Sequence, residues 1–240
     1  MTIRYGCFGA GRGSIVALDR DEALSYLGYA GQRLDEALLA RFNELACACE
    51  RDLSPRFAWG IFDVDPTKEP TVLPDCGMAL PGSSMAQHLA GACKVALMAC
   101  TLGMESEREI RKYAAMSSVD ALMFGACSSA LVEACANAVE AQIVAWAADQ
   151  GLHTNWRFSP GYGDLPLSVQ PALLSALDAT RRLGITLTPT NMMIPVKSTT
   201  ALVGLFEAGR DGFGVRDLCA SCQLKGCCEL RKKGTTCHGR

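Results

Sequence analysis

Two groups of residues in this 240-residue chain have types and spacings that could do chemistry. The first is W-R-F-S-P-G-Y-G-D-L-P, from Trp156 to Pro166. It sets the guanidinium of Arg157 between two large aromatics and follows it at once with Ser159, Pro160, Gly161, Tyr162 and Gly163. Proline fixes one dihedral angle and glycines allow positive ones, so the backbone at Gly161 can come close to a ligand with no Cβ in the way. A planar cation suits a carboxylate, and Tyr162 adds a flat face and a hydroxyl. The plainer reading of P-G-Y-G is a connection between two elements that binds nothing. The second group is Cys219, Cys222, Cys227, Cys228 and Cys237, the last beside His238. Four thiolates can converge on one tetrahedral zinc or on an iron-sulfur cluster, and so short a tail needs such a cross-link to fold. The choice between zinc and iron-sulfur stays open. Arg231, Lys232, Lys233 and Arg240 would offset part of the thiolate charge.

The elements that must position these groups can be read from hydrophobic periodicity. A 49% hydrophobic content and a net charge of -2 describe a globular chain able to bury a core, with no field to attract a polyanion, so nucleic acid is not expected. No membrane role is expected either, because the longest apolar run, near Ala126 to Ala148, is broken by Glu133, Asn137 and Glu140. Thirteen cysteines, an odd number, with no export signal predict a reducing cytoplasm. The eight cysteines from Cys7 to Cys135 read as thiols. The chain divides into residues 1–208 and a Cys-rich tail, 209–240, joined by the glycine-rich stretch Gly209 to Gly214.

Met1 to Arg20 reads as a poorly defined lead-in. Its G-A-G-R-G lacks the flanking strand and helix of a dinucleotide loop. A short helix capped by Asp21, an amphipathic helix from Leu34 to Glu50 and a strand from Phe57 to Val64 follow. Pro66, Pro70 and Pro74 then hold an extended segment. A short helix ends at Leu89, and K-V-A-L-M-A-C at Lys94 to Cys100 reads as a buried strand running into Thr101-Leu102-Gly103, a loop that could border a ligand. Val119 to Gln150 is a long helix with Cys127, Leu131, Cys135, Val139, Ile143 and Trp146 on one side. Ser129, Glu133, Asn137 and Glu140 form a polar stripe on another side. Such stripes are commonly solvated, yet Glu133 sits in a small-residue helix that ought to be covered and could accept a ligand amine or hydroxyl. Leu167 to Leu183 reads as a helix capped by Ser168 and ended by Gly184. Short strands at Ile185 to Thr188 and Ser198 to Leu205 are separated by a bend at Pro195. Met192 and Met193 precede that bend as core filler or as soft contacts to a ligand. Strands mixed irregularly with helices predict an α+β fold.

R-F-S-P-G-Y-G-D, with G-I-T-L-T and M-M-x-P-x-K-S about one helix later, closely resembles the activation domain of cobalamin-dependent methionine synthase and its free-standing relatives. The resemblance covers most of Asp21 to Leu205, including Y-L-G-Y, A-C-T-L-G and G-A-C-S-S-A-L-V-E-A. It implies a curved antiparallel or mixed sheet flanked by helices, with S-adenosylmethionine bound in a shallow groove. That cofactor would supply a methyl group to cob(II)alamin held by a corrinoid-binding partner or a split methionine synthase, with reduction by flavodoxin or a similar electron donor. By the same resemblance Arg157 would hold the methionine carboxylate and Ser159 would offer backbone contacts. Tyr162 would line the groove, and Glu133 would match an acidic contact on the long helix. None of these residues acts as an acid or base. The pattern departs at A-L-V-G, where Val203 takes the place of a strand tyrosine near the ligand. Two other functions fit the residues: a metal or iron-sulfur electron-transfer accessory protein whose groove is degenerate, and a module that binds S-adenosylmethionine without turnover.

Overall fold

The computed structural model of the protein describes residues 2–9, 16–65, 67–207 and Gly226. In chain order these form β1 (Ile3–Cys7), α1 (Arg20–Tyr26), α2 (Glu36–Asp52), β2 (Arg56–Asp63), β3 (Thr71–Leu73), β4 (Met78–Leu80), α3 (Ser83–Leu89), β5 (Lys94–Thr101), α4 (Gly103–Met116) and α5 (Ser118–Asp149). They continue through β6 (His153–Thr154), a 3-10 turn (Leu167–Val169), α6 (Gln170–Ala176), α7 (Ala179–Leu183), β7 (Thr186–Leu187), β8 (Met193–Ile194) and β9 (Ser198–Phe206). The main sheet is antiparallel throughout, in the order β1-β2-β5-β9-β6, and helices flank it. This is the expected α+β fold.

Side chains of successive strand residues alternate between the two faces, and here they build two cores. Trp59, Met98, Cys100, Ala201 and Val203 pack with α1, α2 and α5. Phe62, Val95, Leu97, Ala99 and Leu202 pack with α3, the β3–β4 hairpin, α6 and α7. The central strand β5 is therefore buried from Val95 to Thr101, which explains its continuous apolar run.

Helix α5 spans the helical layer for 32 residues, roughly 48 Å at 1.5 Å per residue. Ser117 caps it by accepting from the Asp120 amide at 3.2 Å. Among the described residues it is the one helix long and apolar enough to cross a membrane, but 56% of its most apolar window is buried inside the protein. Cys127, Leu131, Cys135, Val139 and Ile143 are buried as its periodicity predicts.

Several expectations need correction. The lead-in is not featureless: Ile3–Cys7 is a strand paired with β2, its short polar-apolar mixture being that of an edge strand. G-A-G-R-G spans residues 9–13, all but Gly9 outside those described. The cap of α1 is Asp19, which accepts from the Glu22 amide at 3.0 Å, rather than Asp21. The proline-rich segment hides the β3–β4 hairpin, whose three-residue strands are too short to show a period. The helix expected over 167–183 is three pieces, and Ser168 caps none of them. Asp178 adopts a left-handed φ of 52° that breaks the helix, while Gly184 ends it at φ 73° as expected.

The corner after Arg157 is tied into this framework by Asp164. Its carboxylate accepts from the amides of Ser83 and Ser84 at 2.7 and 3.0 Å and from the Ser83 hydroxyl at 2.8 Å. It thus caps α3 from 80 residues away, in place of Gly82, which has no side chain to do so. Burial opposes its ionisation, but the hydrogen bonds from Ser83 and Ser84 outweigh this and hold its pKa below the ordinary carboxylate value. Asp164→Ala should cost about 1–2 kcal/mol in urea unfolding at pH 7. Because the native pKa is depressed, the wild-type advantage is complete above the unfolded value and should shrink as pH falls below about 4.

Candidate functional site

Strand β6 pairs with β9 through only two residues, yet the chain stays beside β9 a little longer. The Asn155 amide donates to the Gly204 carbonyl at 3.2 Å, and Phe158 and Leu202 exchange both backbone bonds at 2.8 Å. Pro160 then ends the ladder, having no N–H to give. At Gly161, φ 94°, the chain turns back, with the Gly161 amide donating to the Leu165 carbonyl and the Tyr162 amide to the Ser159 carbonyl. The start of β9 is left uncovered by a neighbouring strand. Over it lies a cleft of about 300 Å³, at the lower end of the range for small-ligand pockets.

Arg157, Ser159, Pro160 and Tyr162 form one wall of this cleft, and Glu133 and Ala136 of α5 form another. Thr199, Thr200 and Ala201 supply the strand edge, and Asn191, Met192 and Met193 close one end. The structure thus brings Arg157, Ser159, Tyr162 and Glu133 together. Gly161 belongs to the same turn but is not a wall residue. A Cβ there would meet Leu167 Cδ2 at 3.2 Å, so the glycine serves the positive φ and the packing behind the turn. Val203 lies off the cleft, fully buried in the helix-side core. The loop at Thr101-Leu102-Gly103 is a closed strand-to-helix turn in which Thr101 Oγ1 accepts from the Gly103 amide at 3.0 Å.

The polar stripe on α5 is met by cations and only partly solvated, Asn137 alone of its four residues being exposed. Arg157 Nε meets Glu140 Oε2 at 3.0 Å, and Nη2 meets Asn137 Oδ1 at 2.6 Å and Glu133 Oε2 at 3.6 Å. One turn earlier, Lys197 Nζ donates to Ser129 Oγ at 2.7 Å. Burial pushes the Glu140 carboxyl above its ordinary pKa, with Arg157 pulling the other way, and burial lowers the Lys197 ammonium. On the other side of the segment, Trp156 and Phe158 pack on buried His88 with ring centroids 5.3 and 5.1 Å away. Asn155 Nδ2 donates to the His88 carbonyl at 2.8 Å. W-R-F is therefore clamped from both faces, its cation toward α5 and its rings toward α3.

Cys219, Cys222, Cys227, Cys228 and Cys237 lie outside the described residues. Among the described residues no cluster of three or more histidine, cysteine or acidic side chains could hold a metal ion. Of the eight earlier cysteines four are buried, and burial pushes the Cys49 and Cys127 thiols up to about 12, which keeps them protonated. The residues that sequence reasoning missed are Met98, Gln170, Asn191 and Thr199 to Ala201. One signal was present in S-T-T, a polar start to an otherwise apolar strand. Its meaning depends on β6 stopping early.

Removing Arg157 would leave Glu140 partly buried without its counter-ion. Arg157→Ala should cost about 2–3 kcal/mol in denaturant unfolding at pH 7, and adding Glu140→Gln should recover part of it. The raised native pKa of Glu140 means that its protonated form is favoured in the fold at low pH, an advantage lost as pH rises through that value. The gap between wild type and Arg157→Ala should therefore widen from pH 4 to pH 7.

Comparison with known proteins extends these observations. The sequence model described as "Vitamin B12 dependent methionine synthase, activation domain" matches residues 85–218, more than half of the chain and all of the cleft. A search of curated proteins gives no match. Among solved structures, the reactivation domain of MetH bound to AdoHcy superposes with a TM-score of 0.61. It shares 16% identity, over 98% of this chain and 87% of that one, a likeness that shows a common fold. The chain belongs to the family of activation domains of vitamin B12-dependent methionine synthase.

Proposed function

We propose that the cleft binds S-adenosylmethionine and that the domain presents its methyl group to cobalamin held by a corrinoid-binding partner, returning that cofactor to its active form. The observation that carries this reading is the convergence of Arg157, Tyr162 and Glu133 on one cleft at the uncovered start of β9, in a chain of this family. Arg157 would face the methionine carboxylate and Glu133 the ammonium. Ser159 would contribute main-chain contacts, and Tyr162 a wall. Two carboxylates against one guanidinium leave an excess of negative charge, which suits a ligand carrying both a sulfonium and an ammonium. Tyr162 and Met192, 60% and 55% exposed at the mouth, offer a flat ring and a soft thioether to whatever docks there.

The domain needs no acid or base for such a step. Methyl transfer to reduced cobalt is governed by holding the sulfonium methyl over the metal, so binding and docking supply the function. One electron must accompany the methyl group when the starting state is cob(II)alamin, and we assign it to a flavodoxin-like or other donor.

Calorimetric titration with S-adenosylmethionine tests the cleft. The wild type should bind, and Tyr162→Ala, whose side chain is mostly exposed and carries little of the fold, should weaken binding about 10-fold, equivalent to about 1.4 kcal/mol. Absence of binding by a folded wild type would remove this reading. The clustered cysteines motivate a second assignment, that residues 209–240 form an appended metal site beyond a domain of residues 1–208. Anaerobic purification with metal analysis and a visible spectrum tests it. A brown, iron-containing protein would support electron delivery by the tail, a colourless zinc protein a structural clip, and a metal-free one neither.

A further inference from the structure

The main sheet ends in β1 on the side away from the cleft, and the direction of each backbone group along β1 is fixed by its neighbours. The Phe8 amide donates to the Pro55 carbonyl at 2.8 Å, one position beyond the ladder that sets Tyr5 opposite Ala58. Facing pairs in an antiparallel ladder alternate between bonded and non-bonded. Gly6 and Arg4, at even spacing from Phe8, therefore aim their main chain at β2, while Tyr5 and Ile3 aim theirs outward. Counting from the opposite side of the sheet gives the same phase: the Leu102 amide donates to the Lys197 carbonyl, and the alternation carried through β5 and β2 reaches Arg4 and Gly6. Among the described residues no backbone bond runs to the outward groups of Ile3 or Tyr5, and Tyr5 is 62% exposed.

Sheet edges are ordinarily blunted by proline, lysine, a bulge or a charge on the rim. I-R-Y-G-C has no proline or lysine, and its register with β2 is unbroken. Its one charge is drawn back over the sheet, the Arg4 guanidinium carbon lying 5.0 Å from the ring centroid of Trp59 on β2. On the other face the guanidinium of Arg182 lies 4.4 Å over the Tyr5 ring, with its own charge met by Asp178. The edge is thus straight, open and furnished with a placed aromatic ring.

Such an edge is complementary to itself, because a two-fold axis turns each outward donor toward the acceptor of the other copy. Charge selects the register. An axis at Arg4 would set two guanidiniums opposite each other, which is unfavourable. An axis at Gly6 would carry Ile3 past the end of the strand. An axis at Tyr5 uses all five residues: Tyr5 faces Tyr5 of the second copy and exchanges both backbone bonds with it, Ile3 faces Cys7 of the second copy, and Arg4 faces Gly6 of the second copy, where no side chain opposes the cation.

We infer that β1 is a homodimer interface, two copies pairing antiparallel about Tyr5 to join their sheets into one. Strands β2 and β5 lie between β1 and β9, so both clefts stay at the outer ends of the joined sheet, each open to a partner of its own. Light scattering on the full chain in reducing buffer, at protein concentrations on the order of 100 µM, tests this. The wild type should have twice the 25.6 kDa of one chain. Tyr5→Pro removes an outward N–H and no bond to β2, a place where an edge strand tolerates proline, and should be a folded monomer by circular dichroism. Tyr5→Glu keeps the main chain, sets two carboxylates face to face at an exposed position and should also be monomeric. A monomeric wild type, or a dimer retained by either folded variant, overturns the inference.

Discussion

Arg157 leaves a short strand at the edge of the sheet and reaches across to the longest helix, where Glu140, Asn137 and Glu133 meet its guanidinium. Because this ion cluster is less than a quarter exposed on the arginine side, water cannot substitute for either partner at low cost. The segment from Asn155 to Phe158 is therefore held at a fixed distance from α5, and the space between them is the cleft. The same contact makes Arg157 both a wall of the cleft and a tie that closes the fold.

The opposite face of that segment is held by different physics. Trp156 and Phe158 pack on the buried ring of His88, while Asp164 caps the helix that carries His88. An ion cluster on one side and aromatic packing with a remote cap on the other leave the R-x-x-P-G-Y corner little freedom. A rigid corner is what a positioning function requires, since a groove that orders itself on binding would spend ligand affinity doing so. The cleft also owes its existence to an interruption. Had residue 160 continued the ladder, β9 would be paired along its start and there would be no hollow.

The residues singled out by resemblance, Arg157, Ser159, Tyr162 and Glu133, line one cleft, and resemblance and local structure part at one strand. Val203 was expected near the ligand by resemblance, but it points into the helix-side core, and the strand reaches the cleft through Thr199 to Ala201. The wall is therefore built from small and polar groups along the strand edge, with aromatic character supplied by Tyr162 at the mouth and Phe158 beneath.

The sequence by itself determined the strongly periodic parts: α2, the buried strand β5, the long helix α5 with its apolar side, and the last strand. It also determined the chemistry-bearing corner, because proline, glycine and an arginine between aromatics are legible without a fold. The α5 stripe was visible as a pattern, but its meaning was not. Whether Ser129, Glu133, Asn137 and Glu140 face water or cations depends on Lys197 and Arg157, which arrive from more than 15 residues away in the chain. Edge strands such as β1 and hairpins such as β3–β4 were lost because a few residues with one open face carry little period. The break at Asp178 was lost because a left-handed turn at a non-glycine residue is imposed by packing. Tertiary structure alone decided that β6 would stop after two residues and leave the start of β9 bare, since pairing is a property of two segments and a sequence records only one of them at a time.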